Sequence, residues 1–454
     1  MIKKNEEYIV EIIDNGYQGE GIAKIDGMTI FIDNVLKGEK VKIKILKVLS
    51  TQCYAKVIEI LDKSQSRCES DCEPYDKCGG CNLRHMNYQE TLKLKKSIVE
   101  TDLKKAGIEN IEVKECIGME DPYNYRNKLQ YPVGILNDGP VMGVFAKRSH
   151  RIIPNEKCHI QNKLTQTIAK DVFNFIVEKR IPVYNEEKGT GEIRHIYLRI
   201  GVNTNEVMLV LITNKKKIKR EKELVNFITQ KYTEIKTVVK NINLKSTNVI
   251  LGQENEVLFG DGYIKDVLLG ITFKISPMSF YQVNPKQTEK LYTQAIEGAK
   301  LTGKETIFDL YCGIGTIGIC ALKKAKYLYG IETVPQAIED AKENAKINKI
   351  ENAEFIVGNV EDELPKLIKE KNIKPDVVFI DPPRKGCDNV AIETLLKIKA
   401  KKIVYISCNA ATLARDLAKL KEQYAIKEVQ PVDMFPFTSH VECCSVLYLK
   451  DSIQ

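Results

Sequence analysis

The chain has 454 residues, of which 43% are hydrophobic and 29% charged, and it carries a formal net charge of +8. A length of this order calls for more than one domain, and the composition is that of a water-soluble globular protein, with no run of about 18 apolar residues to span a membrane. Thirteen cysteines behind an opening, MIKKNEEYIV, that has no secretory leader exclude a secreted disulfide scaffold. They point to a reducing cytoplasm, where thiols serve as metal ligands or nucleophiles.

Residues 1–62 alternate apolar and polar side chains in short runs, Tyr8–Ile13, Met28–Ile32, Lys40–Val48 and Ala55–Leu61, separated by turn residues such as Asp26-Gly27 and Lys37-Gly38. Short strands at regular spacing predict a small OB-like β-barrel, a fold that either holds RNA or is purely structural. A cysteine-rich loop, Cys68–Cys81, precedes a predicted helix over Tyr88–Ala106. Within the loop, Cys72, Cys78 and Cys81 form a tight trio that needs a fourth ligand to hold a metal. Residues 63–280 mix strands and helices and predict an α+β central domain, in which Tyr131–Leu136 and Val141–Lys147 flank a hairpin turn at Asn137-Asp138-Gly139-Pro140. The basic run Lys215, Lys216, Lys217, Lys219, Arg220 reads as a solvated helix face.

Over 281–454 the pattern changes to strands alternating with helices. Thr306–Leu310, Tyr327–Ile331, Ala353–Val357, Asp376–Ile380 and Lys402–Ile406 read as strands, with helices such as Pro335–Asn348 and Ala411–Glu422 between them. This predicts a Rossmann-like, doubly wound and mostly parallel sheet, α/β in class. Ile426–Phe435 and Cys443–Leu449 follow with no helix between, an antiparallel pair that suits a methyltransferase better than a dehydrogenase.

Gly313-Ile314-Gly315-Thr316-Ile317-Gly318 matches the dinucleotide fingerprint. However, Asp309 lies where a pyrophosphate would sit and would repel it. A carboxylate there can instead accept from the ammonium group of S-adenosylmethionine, and Glu332, ending the next strand, is placed for the ribose hydroxyls. Asp309, Glu332, Asp381 and Cys408 all fall at strand ends, where open α/β sheets bind ligands, so one cleft should collect them.

Asp381-Pro382-Pro383 is followed by Arg384 and not by the aromatic ring that enzymes methylating exocyclic amines stack on a base. Carbon 5 of uracil is too weak a nucleophile to take a sulfonium methyl unaided. A thiolate added to carbon 6 makes carbon 5 an enolate carbon, and a base must then remove the carbon 5 proton. Cys408 is the candidate nucleophile, against a reading as an inert buried thiol; Cys312, Cys443 and Cys444 read as packing residues. Glu442, in the loop joining the last two strands, is the candidate base, with His440 as the alternative.

With Gln282-Val283-Asn284, Asp309–Gly315, Asp381–Gly386, Ser407-Cys408-Asn409 and Val432–Glu442 in this order, the chain resembles the RNA uridine-5 methyltransferase family. The resemblance implies that Gln282, Tyr311, Glu332 and Asp381 bind S-adenosyl-L-methionine, that Cys408 is the nucleophile and that Glu442 is the base. It also sets Phe280 and Arg126 near the target uracil. Residues 2–61 are similar to a TRAM domain, through Gly19-Glu20-Gly21-Ile22-Ala23 and Gly38-Glu39. Its near-zero charge leaves little counterion release to drive RNA binding, so exposed aromatics and shape must contribute more.

Cys158 resembles the fourth ligand, with Cys72, Cys78 and Cys81, of a [4Fe–4S] cluster found in the ribosomal-RNA branch of this family. Zn²⁺ suits the same spacing, and Cys68 could replace Cys72. The implied substrate is a uridine of 23S rRNA, with tRNA, or a non-catalytic RNA-binding assembly factor, as the other readings. A cytoplasmic monomer with no membrane or DNA partner is expected.

Overall fold

The computed structural model describes residues 2–137 and 139–450. At the front of the chain, period-two alternation is converted directly into strands. Along Lys40–Val48, Val41, Ile43 and Ile45 are buried while the intervening lysines face outward. Six strands lie in the order Glu7–Glu11, Lys40–Val48, Gln52–Asp62, Met28–Asp33, Gly21–Ile25 and Asp14–Asn15, around a core that includes Ile12, Ile30, Ile32 and Ile43. This is the expected barrel-like unit. Glu39 is completely buried at its foot. Burial alone would raise this carboxyl, but Arg67, with the Leu36 N–H, holds it below the usual carboxylate range. That ion pair ties the barrel to the segment that follows.

A seven-stranded sheet fills the central region, in the order Ile152–Pro154, Gly139–Phe145, Lys128–Leu136, Ile193–Ile200, Val207–Thr213, Ile235–Ile242 and Glu254–Phe259. The helices Lys163–Glu178 and Glu221–Lys231 share its core through Ile168, Val172, Leu224 and Ile228. The predicted hairpin is present with strands ending at Leu136 and resuming at Gly139; Asp138 of its turn lies outside the described residues. The basic run is not a helix face. It occupies the loop before Glu221–Lys231, where Arg220 adopts a left-handed conformation and only Ile218 of the run is buried.

The last sheet positions the site. Its strands are β1 (Thr306–Leu310), β2 (Tyr327–Glu332), β3 (Ala353–Val357), β4 (Val377–Ile380), β5 (Lys402–Ser407), β6 (Tyr424–Val432) and β7 (Glu442–Leu449). They run in the order β3-β2-β1-β4-β5-β7-β6, and the short strand Glu112–Val113 pairs beyond β6. β7 is antiparallel to both neighbours and the others in this order are parallel. Helices cover both faces, so β4 and β5 read as continuous apolar runs without alternation. The expected doubly wound sheet with a terminal antiparallel pair is thus present. Among the described residues, no helix is long and apolar enough to cross a membrane.

Several element ends shift by one to three residues from expectation, and two of these shifts bear on the site. β6 stops at Val432 rather than Phe435, and Glu442 opens β7 instead of lying in the loop. The reason is that residues after Val432 are captured from outside the sheet. Asp433 forms a completely buried ion pair with Lys95 of the helix Tyr88–Lys105, and also accepts from the Tyr88 hydroxyl at 2.6 Å. Lys95 Nζ donates to the Phe435 carbonyl at 3.2 Å, Gln287 Nε2 to the Asp433 carbonyl at 3.0 Å, and Asn284 Nδ2 to the Met434 carbonyl at 3.0 Å. Removing one partner of such a pair leaves a buried charge with no compensation. Lys95→Met should therefore lower unfolding stability by about 3–5 kcal/mol, read as a fall in the denaturant midpoint; an unchanged midpoint would show that the pair is dispensable.

Candidate active site

Parallel strands share one carboxyl-end edge, and there the chain leaves β1 through a tight turn. Tyr311, Gly313 and Gly315 all take positive φ before the helix Thr316–Leu322. The Gly318 N–H donates to Asp309 Oδ2 at 2.8 Å, and a Cβ at Gly318 would lie 2.8 Å from that same oxygen, so glycine is required. Asp309 Oδ1 is buried and has no hydrogen-bond partner. Burial pushes this carboxyl up to about 7, with negative charge on Asp381 and Glu332 adding to the effect and the Gly318 N–H opposing it.

Glu332 ends β2 and ties two loops, accepting from Gly313 N at 3.2 Å, Val334 N at 3.0 Å and the Thr333 hydroxyl at 2.9 Å. Asp381 follows β4, its N–H reaching the Leu310 carbonyl at 3.4 Å, and burial raises its carboxyl to about 7. Tyr311 donates to Glu361 at 3.2 Å. Gln282 is buried just ahead of the helix Pro285–Ala299, and its carbonyl accepts from Asn127 Nδ2 at 3.0 Å. The three strand-end carboxylates therefore share one edge. Together they favour a cationic ligand over a pyrophosphate.

Cys408 follows the last residue of β5. Ser407 is in register with Cys443 of β7, and because β7 runs the other way, its first residue, Glu442, comes alongside Cys408. The Cys408 thiol is half-buried and raised to about 11, by burial first and then by the charges of Glu442 and Asp381; Arg384 pulls the other way. Glu442 is raised to about 8, again by burial first and then by Asp381, with Arg384 and Lys95 opposing. His440 is driven toward the neutral form by burial and by the same two cations, and its ring meets Phe435 edge-on at 6.2 Å. Cys312, Cys443 and Cys444 are buried. Phe280 is 70% exposed.

Cys72, Cys78, Cys81 and Cys158 line a single cavity of about 210 Å³, together with Arg84 and Arg126. Arg126, expected near a target base, thus stands in the wall of this cavity. The Cys68 thiol is not in the wall; it donates to the Arg84 carbonyl at 3.3 Å. Among the described residues, no three His, Cys, Asp or Glu side chains converge closely enough to hold one metal ion.

Residues 87–450 match the family model described as tRNA (Uracil-5-)-methyltransferase, which covers most of the chain. The chain belongs to the tRNA (uracil-5-)-methyltransferase family. Residues 3–58 match the TRAM domain. The chain is 49% identical over 445 residues to an uncharacterized RNA methyltransferase of Clostridium acetobutylicum, covering 97% of this chain and 96% of that one. An uncharacterized RNA methyltransferase of Listeria innocua is 45% identical over 451 residues, covering 99% of each. Among solved structures, Pyrococcus abyssi tRNA (uracil-54, C5)-methyltransferase bound to S-adenosyl-L-homocysteine superposes with a TM-score of 0.78 at 25% identity, covering 97% of this chain and 100% of that one. This family member is accordingly an S-adenosylmethionine-dependent RNA (uracil-C5)-methyltransferase.

Sequence reasoning missed Lys95, Asp433 and Asn82, which hold the loop before Glu442, and used Arg384 only to exclude other chemistry. The charges around Cys408 give a direct check. In Glu442→Gln the negative charge that most raises the thiol is gone, so alkylation of Cys408 by iodoacetamide, followed by peptide mass mapping, should titrate at lower pH than in the parent. An unshifted or higher midpoint would contradict the adjacency of the two groups.

Proposed function

We propose that the protein methylates carbon 5 of a uridine in 23S rRNA through a covalent adduct, with Cys408 as nucleophile and Glu442 as general base. The observation that best supports this is the pairing of Ser407 with Cys443, which brings a thiol and a buried carboxyl side by side at the edge that carries Asp309, Glu332 and Asp381. Gln282, Tyr311, Glu332 and Asp381 would hold S-adenosylmethionine, which when bound supplies an electrophilic methyl group to carbon 5.

The Cys408 sulfur forms a bond to carbon 6, and the electron pair of the 5,6 double bond passes to carbon 5. After carbon 5 is methylated, Glu442 takes the carbon 5 proton, the double bond re-forms and the carbon 6–sulfur bond breaks, returning the thiolate. A carboxyl near pH 8 is well matched to holding that proton and releasing it to water. The base must be extruded from any stack to reach Cys408, and Phe280, exposed on the segment leading to Gln282, would meet its ring.

We assign three functional regions: a TRAM-like barrel over 1–62 and a central domain over 63–280, both binding RNA, and the methyltransferase domain over 281–454. Cys72, Cys78, Cys81 and Cys158 would hold a [4Fe–4S] cluster. The four cysteines around one cavity are what supports this reading, with Zn²⁺ as the alternative. Bound there, it would crosslink a loop-rich segment. The second reading is a transfer-RNA substrate, favoured because the Pyrococcus abyssi tRNA enzyme aligns over 97% of this chain, barrel included.

A substrate assay, two variants, a pH profile and a metal analysis test these assignments. Methyl transfer from labelled S-adenosylmethionine should proceed on unmodified 23S rRNA; incorporation into tRNA alone would establish the second reading, and none into either would leave an RNA-binding assembly factor. Cys408→Ala should abolish transfer while cofactor binding survives, and Glu442→Gln should trap an enzyme–RNA adduct on a denaturing gel. Because Glu442 must be unprotonated to act, product release in the parent should rise with pH through about 8; a profile falling over that range would remove Glu442 from the role. Protein purified without oxygen should be brown and contain iron and sulfide, whereas a colourless, zinc-loaded sample would refute the cluster.

A further inference from the structure

The loop that delivers Glu442 is gripped from the cysteine-lined segment at its far end. Asn82, next to Cys81, donates from its backbone N–H to the Phe437 carbonyl at 3.1 Å, and Leu83 N–H donates to the same carbonyl at 3.0 Å. The Asn82 side chain then makes a two-way bond to Ser439. Its Oδ1 accepts from Ser439 N at 3.0 Å and its Nδ2 donates to Ser439 Oγ at 3.1 Å. The same Nδ2 also reaches the Gln18 carbonyl of the barrel. Beside it, the Arg84 guanidinium, itself in the wall of the cysteine cavity, lies 4.5 Å over the Phe437 ring, which is buried and has positive φ.

Two independent anchors thus act on one short loop. The Lys95–Asp433 pair fixes its start, and Asn82 with Arg84 fixes Phe437–Ser439, three residues ahead of Glu442. A non-glycine residue held at positive φ persists only where its surroundings over-determine it. Phe437 is such a residue, and its surroundings are the cysteine segment.

We propose that Asn82 is a positioning residue for Glu442, so that the cysteine-lined segment acts as a strut for the proton-removal step and not only as a fold staple. This rests on the reading of Glu442 as the general base. Asn82 touches no reacting atom. It acts by fixing where the carboxyl stands once carbon 5 has been methylated, and displacing a catalytic group by a small distance can reduce turnover by about 100-fold.

The sign of this role differs from that of a stability or RNA-binding role. If Glu442 is displaced, the carbon 6–sulfur bond forms and methyl transfer occurs, but elimination stalls, so methylated enzyme–RNA adduct accumulates. If Asn82 serves only folding or RNA binding, adduct formation falls along with turnover. The test uses the full-length protein with unmodified RNA and labelled S-adenosylmethionine, run as parent, Glu442→Gln, Asn82→Ala and Asn82→Asp. It reads released product, gel-stable labelled adduct and S-adenosylhomocysteine affinity.

Asn82→Ala should release product about 100-fold more slowly, accumulate adduct as Glu442→Gln does, and keep the parent's cofactor affinity. Asn82→Asp, which can still accept from Ser439 N, should recover part of the turnover and show less adduct. Loss of turnover in both Asn82 variants without adduct, while Glu442→Gln traps it, would overturn the strut and leave the base assignment intact. Absence of adduct in Glu442→Gln would overturn the base assignment, and the strut with it.

Discussion

A lysine and an aspartate sealed from water set the path of the loop before Glu442. Lys95 and Asp433 are both completely buried, and each brings further bonds: Tyr88 on the carboxylate, the Phe435 carbonyl on the ammonium. Isolated charges at this depth would be expensive, and the pair is tolerable only because its remaining donors and acceptors are also filled. What it secures is direction. β6 would otherwise run on past Val432; captured at Asp433, the chain instead turns out of the sheet and returns as β7 with Glu442 first. The position of a carboxyl beside Cys408 is therefore a tertiary consequence of a helix over 300 residues earlier in sequence, Tyr88–Lys105.

Electrostatics at the sheet edge run against the resting state. Asp309, Asp381 and Glu442 are all raised toward or beyond neutrality by burial, Asp381 adds to the rise of the other two, and Cys408 is raised with them. Such a site holds excess negative potential, and a cationic sulfonium with its ammonium group relieves it. Arg384 is the exposed counterweight, lowering both Cys408 and Glu442. Under the proposed mechanism, cofactor charge and activation of Cys408 are coupled for this reason: each positive charge brought to the edge eases deprotonation of the thiol.

The fold was legible because it rests on periodicity. Alternation in Lys40–Val48 and apolar runs in β4 and β5 are local signals, and strand ends in a parallel sheet converge by geometry alone. Cys408, Glu332 and Asp381 were readable on that basis. The supports of the loop before Glu442 were not. Asn82 lies over 350 residues from Ser439, and no local pattern links them. Lys95 did carry a signal, since it shares a helical face with buried Thr91 and Ile98 at spacings of four and three, but a lysine in a lysine-rich helix reads first as solvated. The basic run at Lys215–Arg220 misled in the opposite sense, because charge density gives no periodicity and so no helix.

The barrel, the cysteine segment and the loop before Glu442 form one mechanical series. Arg67 on buried Glu39 joins the first to the second; Asn82 joins the second to both the Gln18 carbonyl and Ser439; Lys95 and Gln287 close the far side on Asp433. Apart from the exposed bond to the Gln18 carbonyl, each link is a short polar bond in a buried or half-buried setting, where it resists displacement more than an exposed one would. In the proposed mechanism the thiol adduct needs its base only late, after a bulky nucleotide has entered and a methyl group has been added. A base on a free loop would be pushed aside by that occupancy, whereas one braced from two other parts of the chain keeps its place through the step that must follow.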